Sequence, residues 1–468
     1  MATMEKDGAS SPFSARAIAR LRAEETARFE AANPRSRALA GAAAECYPGG
    51  VPMHWMRDWP LPFPLFVAAA RGAHLIDADG HRRADFCLGD TGALFGHSPE
   101  PVARAIAEQA ARGLTAMLPG EHAAAVGSLL VQHFRLPRWQ IAITASDANR
   151  TAIRWARAAT GRPVVIVFDG CYHGAVDDAL VCLDGSRTIA APGLLGQVVD
   201  HTRTTRVVEF NDPAALEAAL APGDVAAVLA EPALTNIGMV LPEPGFHAAL
   251  RALTRRHGAL LILDETHTLS SGPGGYCVAQ GLEPDLFVAG KAIAGGLPCA
   301  VFGCTEAVAR RMAAAERAAP PGRTGLGTTL AANLLQLAAL RANLDAVMTA
   351  GNHARMAAMS AKLAAALRAI VAAHGLAWTV TELGARLELQ YGPRAPRTGR
   401  EAAALADGAL SQALQLYLLN RGVVVTPFHM MTICAPTTSD TDIEALTGAL
   451  DRALGRLAEI DAQPRTAP

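Results

Sequence analysis

Lysine is nearly missing from this chain. Among 468 residues only Lys6, Lys291 and Lys362 carry an ε-amine, and the other 39 of the 42 basic residues are arginine. Any chemistry that needs an amine nucleophile therefore has three candidates. Net charge is almost absent too, because 42 basic residues against 43 acidic ones leave −1. That balance offers no electrostatic footprint for nucleic acid. The eight cysteines, from Cys46 to Cys434, form no C-x-x-C pair. This argues against zinc ribbons and redox motifs, and no metal is expected. Free buried thiols in a reducing compartment are the better reading.

Long apolar runs are lacking as well. The most apolar window, 286–303, contains a lysine and four glycines, so no membrane span is expected. The N-terminus lacks the apolar segment of a secretory signal and reads as a tail followed by a charged helix. A soluble cytoplasmic protein is the expectation. Aromatics make up only 5%, but 51% hydrophobic and 18% charged residues are a globular composition. Disordered, collagenous and coiled-coil chains are thereby excluded. The length allows two or three domains and a large core.

What is present is alternation. Apolar runs at 140–143, 163–168, 206–210, 225–230, 259–264, 286–290 and 300–304 are rich in Val, Ile and Leu. They show little inside-outside alternation, as strands buried on both faces do. Helical patterns such as ANRTAIRWARAATG, DPAALEAALA and FHAALRALTRRHG fall between them. Strands alternating with helices predict a mostly parallel sheet covered on both sides. After about residue 330 long helices are followed by short strand candidates, WTVTEL, ARLELQY, GVVVT and MTICA, and two more helices. That pattern predicts a smaller α+β domain with an antiparallel sheet.

In such sheets ligands sit beyond the carboxyl ends of the strands. There the sequence places Glu231, Asp264, Lys291, the segment DGCYHG with Tyr172 and His173, and the polar turn TASDANR that opens a helix. A helix N-terminus suits a phosphate. Pyridoxal phosphate needs these parts: a lysine, an acid for the pyridinium nitrogen, a phosphate cradle and an aromatic cover. Lys291 sits in the apolar, glycine-flanked FVAGKAIAGG, a setting that favours a nucleophilic amine. Lys6 lies in the tail and Lys362 on an amphipathic helix. The lysine turn lacks the glycine and hydroxyl of a Walker A loop, and SGPGGY is no G-x-G-x-x-G.

The chain resembles the class III aminotransferases of the fold-type I pyridoxal-phosphate group, near the branch of glutamate-1-semialdehyde aminomutases and β-amino-acid transaminases. The likeness runs from about 45 to 455 and includes GHSPEPVARAIAEQ, LILDETHT, AGKAIAGG and GTTLAANLLQLAAL. It implies an α/β large domain with a mostly parallel seven-stranded sheet at 86–335. Residues 336–468 would form a small α+β domain, joined by an N-terminal helix and extended segment at 1–85.

It also implies residue roles. Lys291 forms a Schiff base with pyridoxal 5'-phosphate and shuttles a proton, while Asp264 pairs with the pyridinium nitrogen. Tyr172 stacks on the ring with His173 beside it, and Thr266 takes the other face. Glu231 lies near the ring. Ala145 and Ser146 hold the phosphate, joined by Thr328 and Thr329 from the partner of a homodimer with shared sites. Met53, Trp55 and Arg57 align with the substrate entrance.

Departures from the family pattern are T-A-S-D-A-N for S-G-T-E-A-N, D-E-T for D-E-V, Leu234 for a polar residue, and a C-terminal segment without the arginine that some relatives use. The implied activity is ping-pong amino transfer from an amine or β-amino acid to a keto acid or aldehyde. A 2,1-aminomutase, a racemase or decarboxylase, and a non-catalytic cofactor-binding protein are the alternatives.

Overall fold

The computed structural model of the chain describes residues 11–464. Lys6 lies outside them. The seven apolar runs become the strands Arg138–Ala142, Val164–Phe168, Thr205–Val208, Val225–Ala230, Leu260–Asp264, Leu286–Ala289 and Ala300–Cys304. All seven join one sheet. Its order runs Arg138–Ala142, Ala300–Cys304, Leu286–Ala289, Leu260–Asp264, Val225–Ala230, Val164–Phe168, Thr205–Val208. Only Ala300–Cys304 runs against the others. This is the mostly parallel seven-stranded sheet that the alternation of runs predicts.

The missing alternation has a clear cause. Ile166, Phe168, Val228, Leu261, Leu263 and Phe287 face one apolar layer, which includes Leu216, Leu250, Leu253 and Leu337. Val165, Val167, Leu229, Ile262 and Val288 face the opposite layer with Ala148, Ala152, Ile153 and Ala156 of the helix Ala145–Thr160. In the central strands both faces are dry, so nearly every position is apolar, whereas the edge strands Arg138–Ala142 and Thr205–Val208 carry Arg138, Gln140 and Arg206. Each such buried aliphatic side chain contributes about 1.5–3 kcal/mol.

A second core joins the two ends of the chain. Ala17, Ile18 and Leu21 of the helix Ala15–Ala32 pack with residues of Gly408–Leu419, Asp440–Ala462 and Ala350–Ala373. The small sheet here is Thr379–Leu383, Arg386–Gln390 and Met431–Ile433, all antiparallel. The run GVVVT does not join it. Val423–Val424 pairs parallel with Arg82–Asp85 in the N-terminal sheet instead. Two residues give too short a strand for its apolar pattern to name a partner.

Ala350–Ala373 is long and apolar enough, by length and composition, to cross a membrane. Its buried positions Leu363, Ala364, Leu367 and Val371 recur at helical spacing and face this core, while Met356, nearer its start, packs into the core of the large sheet. The thiols are free, and Cys46 is exposed rather than buried.

Candidate active site

Three carboxyl ends of the large sheet converge on a cleft of about 360 Å³. Glu231 follows Val225–Ala230, Asp264 ends Leu260–Asp264, and Lys291 follows Leu286–Ala289. Ala145, Ser146, Tyr172, His173, Glu231, Asp264, Thr266 and Lys291 all line it. The parallel direction of the strands is what collects them, since each strand delivers its next residue to the same edge.

Asp264 is held on both oxygens. Thr266 N donates to Oδ1 at 3.0 Å, while Asn149 Nδ2 at 2.7 Å and His173 Nδ1 at 3.0 Å reach Oδ2. Burial alone would raise the Asp264 pKa, but these donors hold it below the ordinary value. A carboxylate has about four acceptor positions, so Asp264 keeps capacity toward the cleft. Burial alone would lower His173, yet Cys171 and Asp264 beside it hold it well above the usual imidazole value.

Ala145 opens the helix Ala145–Thr160, capped by the Thr144 hydroxyl. Its backbone φ is not positive, so the alanine in place of glycine carries no conformational penalty there. The helix start packs directly on Gly290, where an added Cβ would meet the Ala145 Cβ at 2.9 Å. A Cβ at Gly174 would collide with Ser146 Oγ. These two glycines keep open the floor beside the free N–H groups of the helix.

Lys291 is less apolar in its setting than its sequence neighbours imply. Its Nζ lies 2.6 Å from Asp90 Oδ2 and 2.5 Å from His267 Nε2. Asp90 comes from a turn in which Leu88, Gly89, Asp90 and Thr91 all have positive φ, a strained run of the sort that clusters at functional sites. Burial pushes the Asp90 pKa up, but Lys291, His267 and Arg386 hold it well below the carboxylate range. His267 lies well below its ordinary value through burial and the adjacent Lys291. Burial raises Glu231.

Asp90, Asn149, Thr235, His267 and Arg386 were not assigned roles by sequence reasoning. Two carried a signal: Asn149 as the last residue of the T-A-S-D-A-N turn, and His267 as a polar residue next to the D-E-T stretch. Thr328 and Thr329 are exposed and do not line the cleft of their own chain. Met53 and Trp55 are exposed on or beside the turn His54–Arg57 and, with Arg57, also lie outside the cleft lining.

The arrangement fits pyridoxal phosphate. It presents an amine, a held carboxylate, a helix N-terminus with space beside it, and the half-exposed Tyr172 ring. The buried Thr266 Oγ1 on the cleft wall has no hydrogen-bond partner among the described residues.

A family model described as Aminotransferase class-III matches residues 56–454. A glutamate-1-semialdehyde 2,1-aminomutase of Sorangium cellulosum is 36% identical over 430 residues, spanning 90% of this chain and 96% of that protein. The crystal structure of a variant glutamate-1-semialdehyde aminomutase from Pseudomonas aeruginosa PAO1, in complex with PMP, matches with a TM-score of 0.93 at 47% identity. It covers 96% of this chain and 100% of its own. A β-phenylalanine aminotransferase from Variovorax paradoxus matches with a TM-score of 0.82 at 29% identity, over 94% of this chain and 97% of that one.

Proposed function

This chain belongs to the class III aminotransferase family, and on that premise we propose that it moves an amino group from an amine or β-amino acid to a keto acid or aldehyde. Its cofactor is pyridoxal phosphate. The observation that carries the reading is the convergence of Lys291, Asp264 and the helix start at Ala145 on one cleft.

Bound pyridoxal phosphate supplies an electrophilic carbon that accepts the amino group and a ring that draws electrons from the substrate carbon. Lys291 Nζ provides the amine that holds the cofactor and carries the proton between substrate and cofactor carbons. Asp264, charged and fixed by three donors, keeps a proton on the ring nitrogen. Ser146 and the first N–H groups of Ala145–Thr160 hold the phosphate, while Tyr172 and Thr266 bracket the ring. His173 fixes Asp264 rather than touching substrate. Residues 86–335 form the cofactor-binding unit in this reading. Thr328 and Thr329 serve the site of a second copy, which sedimentation of the loaded protein as a dimer would support. Met53, Trp55 and Arg57 are the proposed substrate contacts.

A second reading, a 2,1-aminomutase, is favoured by the names of the Sorangium and Pseudomonas relatives. One experiment separates the two. The cofactor-loaded protein is mixed with single amines, β-amino acids or glutamate-1-semialdehyde, without any acceptor. Stoichiometric loss of the visible band with release of a keto product marks a transaminase. Many turnovers to an isomerised product mark an aminomutase. Lys291→Ala is expected to abolish either activity, and undiminished turnover in that variant would sink both.

A further inference from the structure

Behind Lys291 runs a line of buried hydrogen bonds that the proposed mechanism does not use. Lys291 Nζ lies 2.5 Å from His267 Nε2, and His267 Nδ1 lies 2.7 Å from Thr235 Oγ1. Thr235 Oγ1 donates to Glu231 Oε2 at 2.6 Å. Thr235, Glu231 and His267 are all buried. Elementary valence fixes the direction of this line. An ionised Glu231 only accepts, so Thr235 must give its hydroxyl proton to it. The Thr235 oxygen then accepts the Nδ1 proton of His267. That leaves Nε2 bare and facing the lysine amine. Every proton in the line points away from Lys291 and toward Glu231.

We propose that His267, Thr235 and Glu231 form a relay that takes up and returns the proton of the free Lys291 amine, with His267 as the positioning residue. In one passage Lys291 loses a proton to His267 Nε2. His267 passes its Nδ1 proton to Thr235 Oγ1, and Thr235 passes its own to Glu231. Ammonium and carboxylate become neutral amine and carboxylic acid, and no charge leaves the site. Two circumstances support this. Burial makes Glu231 a better proton acceptor than a solvated carboxylate. Burial and Lys291 also disfavour a permanently charged His267, which keeps Nε2 available. The other charges facing the imidazole are Asp90, with Oδ2 3.7 Å from Nε2, together with Arg386 and Asp264. Asn236 Nδ2 also reaches both Glu231 oxygens, at 3.3 Å, and holds the terminal carboxylate in place.

The inference rests on Lys291 being the proton carrier, and its test reads the lysine itself. Cofactor-free protein is acylated with limiting acetic anhydride at neutral pH, and peptide mass spectrometry compares Lys291 with the exposed Lys362. Thr235→Val is expected to slow acylation at Lys291 by about tenfold, the factor that one lost hydrogen bond carries, with Lys362 unchanged. Thr235→Ser, which keeps the hydroxyl, restores the rate. In the loaded protein Thr235→Val lowers the single-turnover rate by a like factor and leaves substrate affinity unchanged. Imidazole partly rescues His267→Ala. If Thr235→Val does not fold, Glu231→Gln is read in the same way. Equal Lys291 acylation in wild type and Thr235→Val, or in Glu231→Gln where it is used instead, overturns the relay. That outcome leaves the Lys291 assignment intact, because Lys291→Ala tests the assignment separately.

Discussion

Asp90 Oδ2 lies 2.6 Å from Lys291 Nζ, and both residues hold left-handed backbone, with φ of 49° and 50°. The two side chains meet because two strained turns face each other. Conformations of this kind cost about 1–3 kcal/mol each and persist only when surrounding packing enforces them. The pair is partly exposed, with side-chain exposures of 34% and 29%, so solvent screens it.

Asp90→Asn separates charge from backbone shape, because asparagine tolerates left-handed φ as well as aspartate does. The variant removes the anion that the Lys291 amine is paired with, and so frees the amine to meet the reagent. Acylation of Lys291 in cofactor-free protein is expected to rise by roughly two- to fivefold, the range for a screened ion pair. This is opposite in sign to Thr235→Val. A fall in acylation would show that Asp90 activates the amine rather than restraining it.

Gly174→Ala tests the floor of the proposed phosphate site. The position has φ of 84°, and an added Cβ would strike Ser146 Oγ. Strain of this kind costs about 1–3 kcal/mol. Lower thermal stability and weaker cofactor retention, read by dialysis and absorbance, are expected together. Unchanged retention would remove Ser146 from the phosphate site.

Thr266→Val removes a buried hydroxyl that has no partner among the described residues. Relief of an unsatisfied polar group stabilises by about 1 kcal/mol or more. Cofactor-free Thr266→Val is expected to melt at or above the wild-type temperature. A lower midpoint would reveal a hydrogen bond to the hydroxyl in solution.

His353 gives the fold an acid limit. Both ring nitrogens are buried with no hydrogen-bond partner among the described residues, and the ring packs edge-on to Phe95 at 5.3 Å. Burial, with a smaller effect from His133, lowers its pKa from 6.5 to about 4. A depressed histidine is neutral in the fold and charges more readily once unfolded. Its stabilising contribution is therefore complete above pH 6.5 and lost as pH falls toward about 4. The full loss is about 3 kcal/mol. Denaturant titrations of His353→Leu should show a shallower decline over that window. An unchanged slope would place the acid sensitivity elsewhere, with His247, also lowered to about 4, as the next residue to substitute.

The large sheet was legible because its central strands are dry on both faces, and dry strands write uninterrupted Val, Ile and Leu runs. Lys291, Asp264 and Glu231 were legible for the same reason, each standing just past such a run. Asp90 was not, because four consecutive positive φ values aim its side chain and no spacing rule describes that turn. Arg386 was hidden differently. It is fully buried and donates to Thr91 Oγ1, a contact made across 295 residues of sequence. Thr235 looked like an ordinary loop threonine until folding set it between His267 and Glu231. Local patterns carry strands and strand ends, whereas side-chain networks assembled from distant segments leave little trace in any one window.

The pairing of Arg138–Ala142 with Ala300–Cys304 also orders events on the ribosome. The edge strand leaves the exit tunnel long before its partner exists. At ordinary elongation rates the roughly 160 intervening residues take roughly 8–30 s to appear. The five large-sheet strands between Val164 and Ala289 can assemble first, and the edge strand can dock only after Ala300–Cys304 has inserted beside them. The helix Ala15–Ala32 waits longer still. Its Arg16 and the preceding Ser14 bond to Ile460 and Asp461, residues made long after it. The helix Ala15–Ala32 is thus among the last of the described elements to be secured. Its apolar face stays open to chaperones until Asp440–Ala462 has emerged.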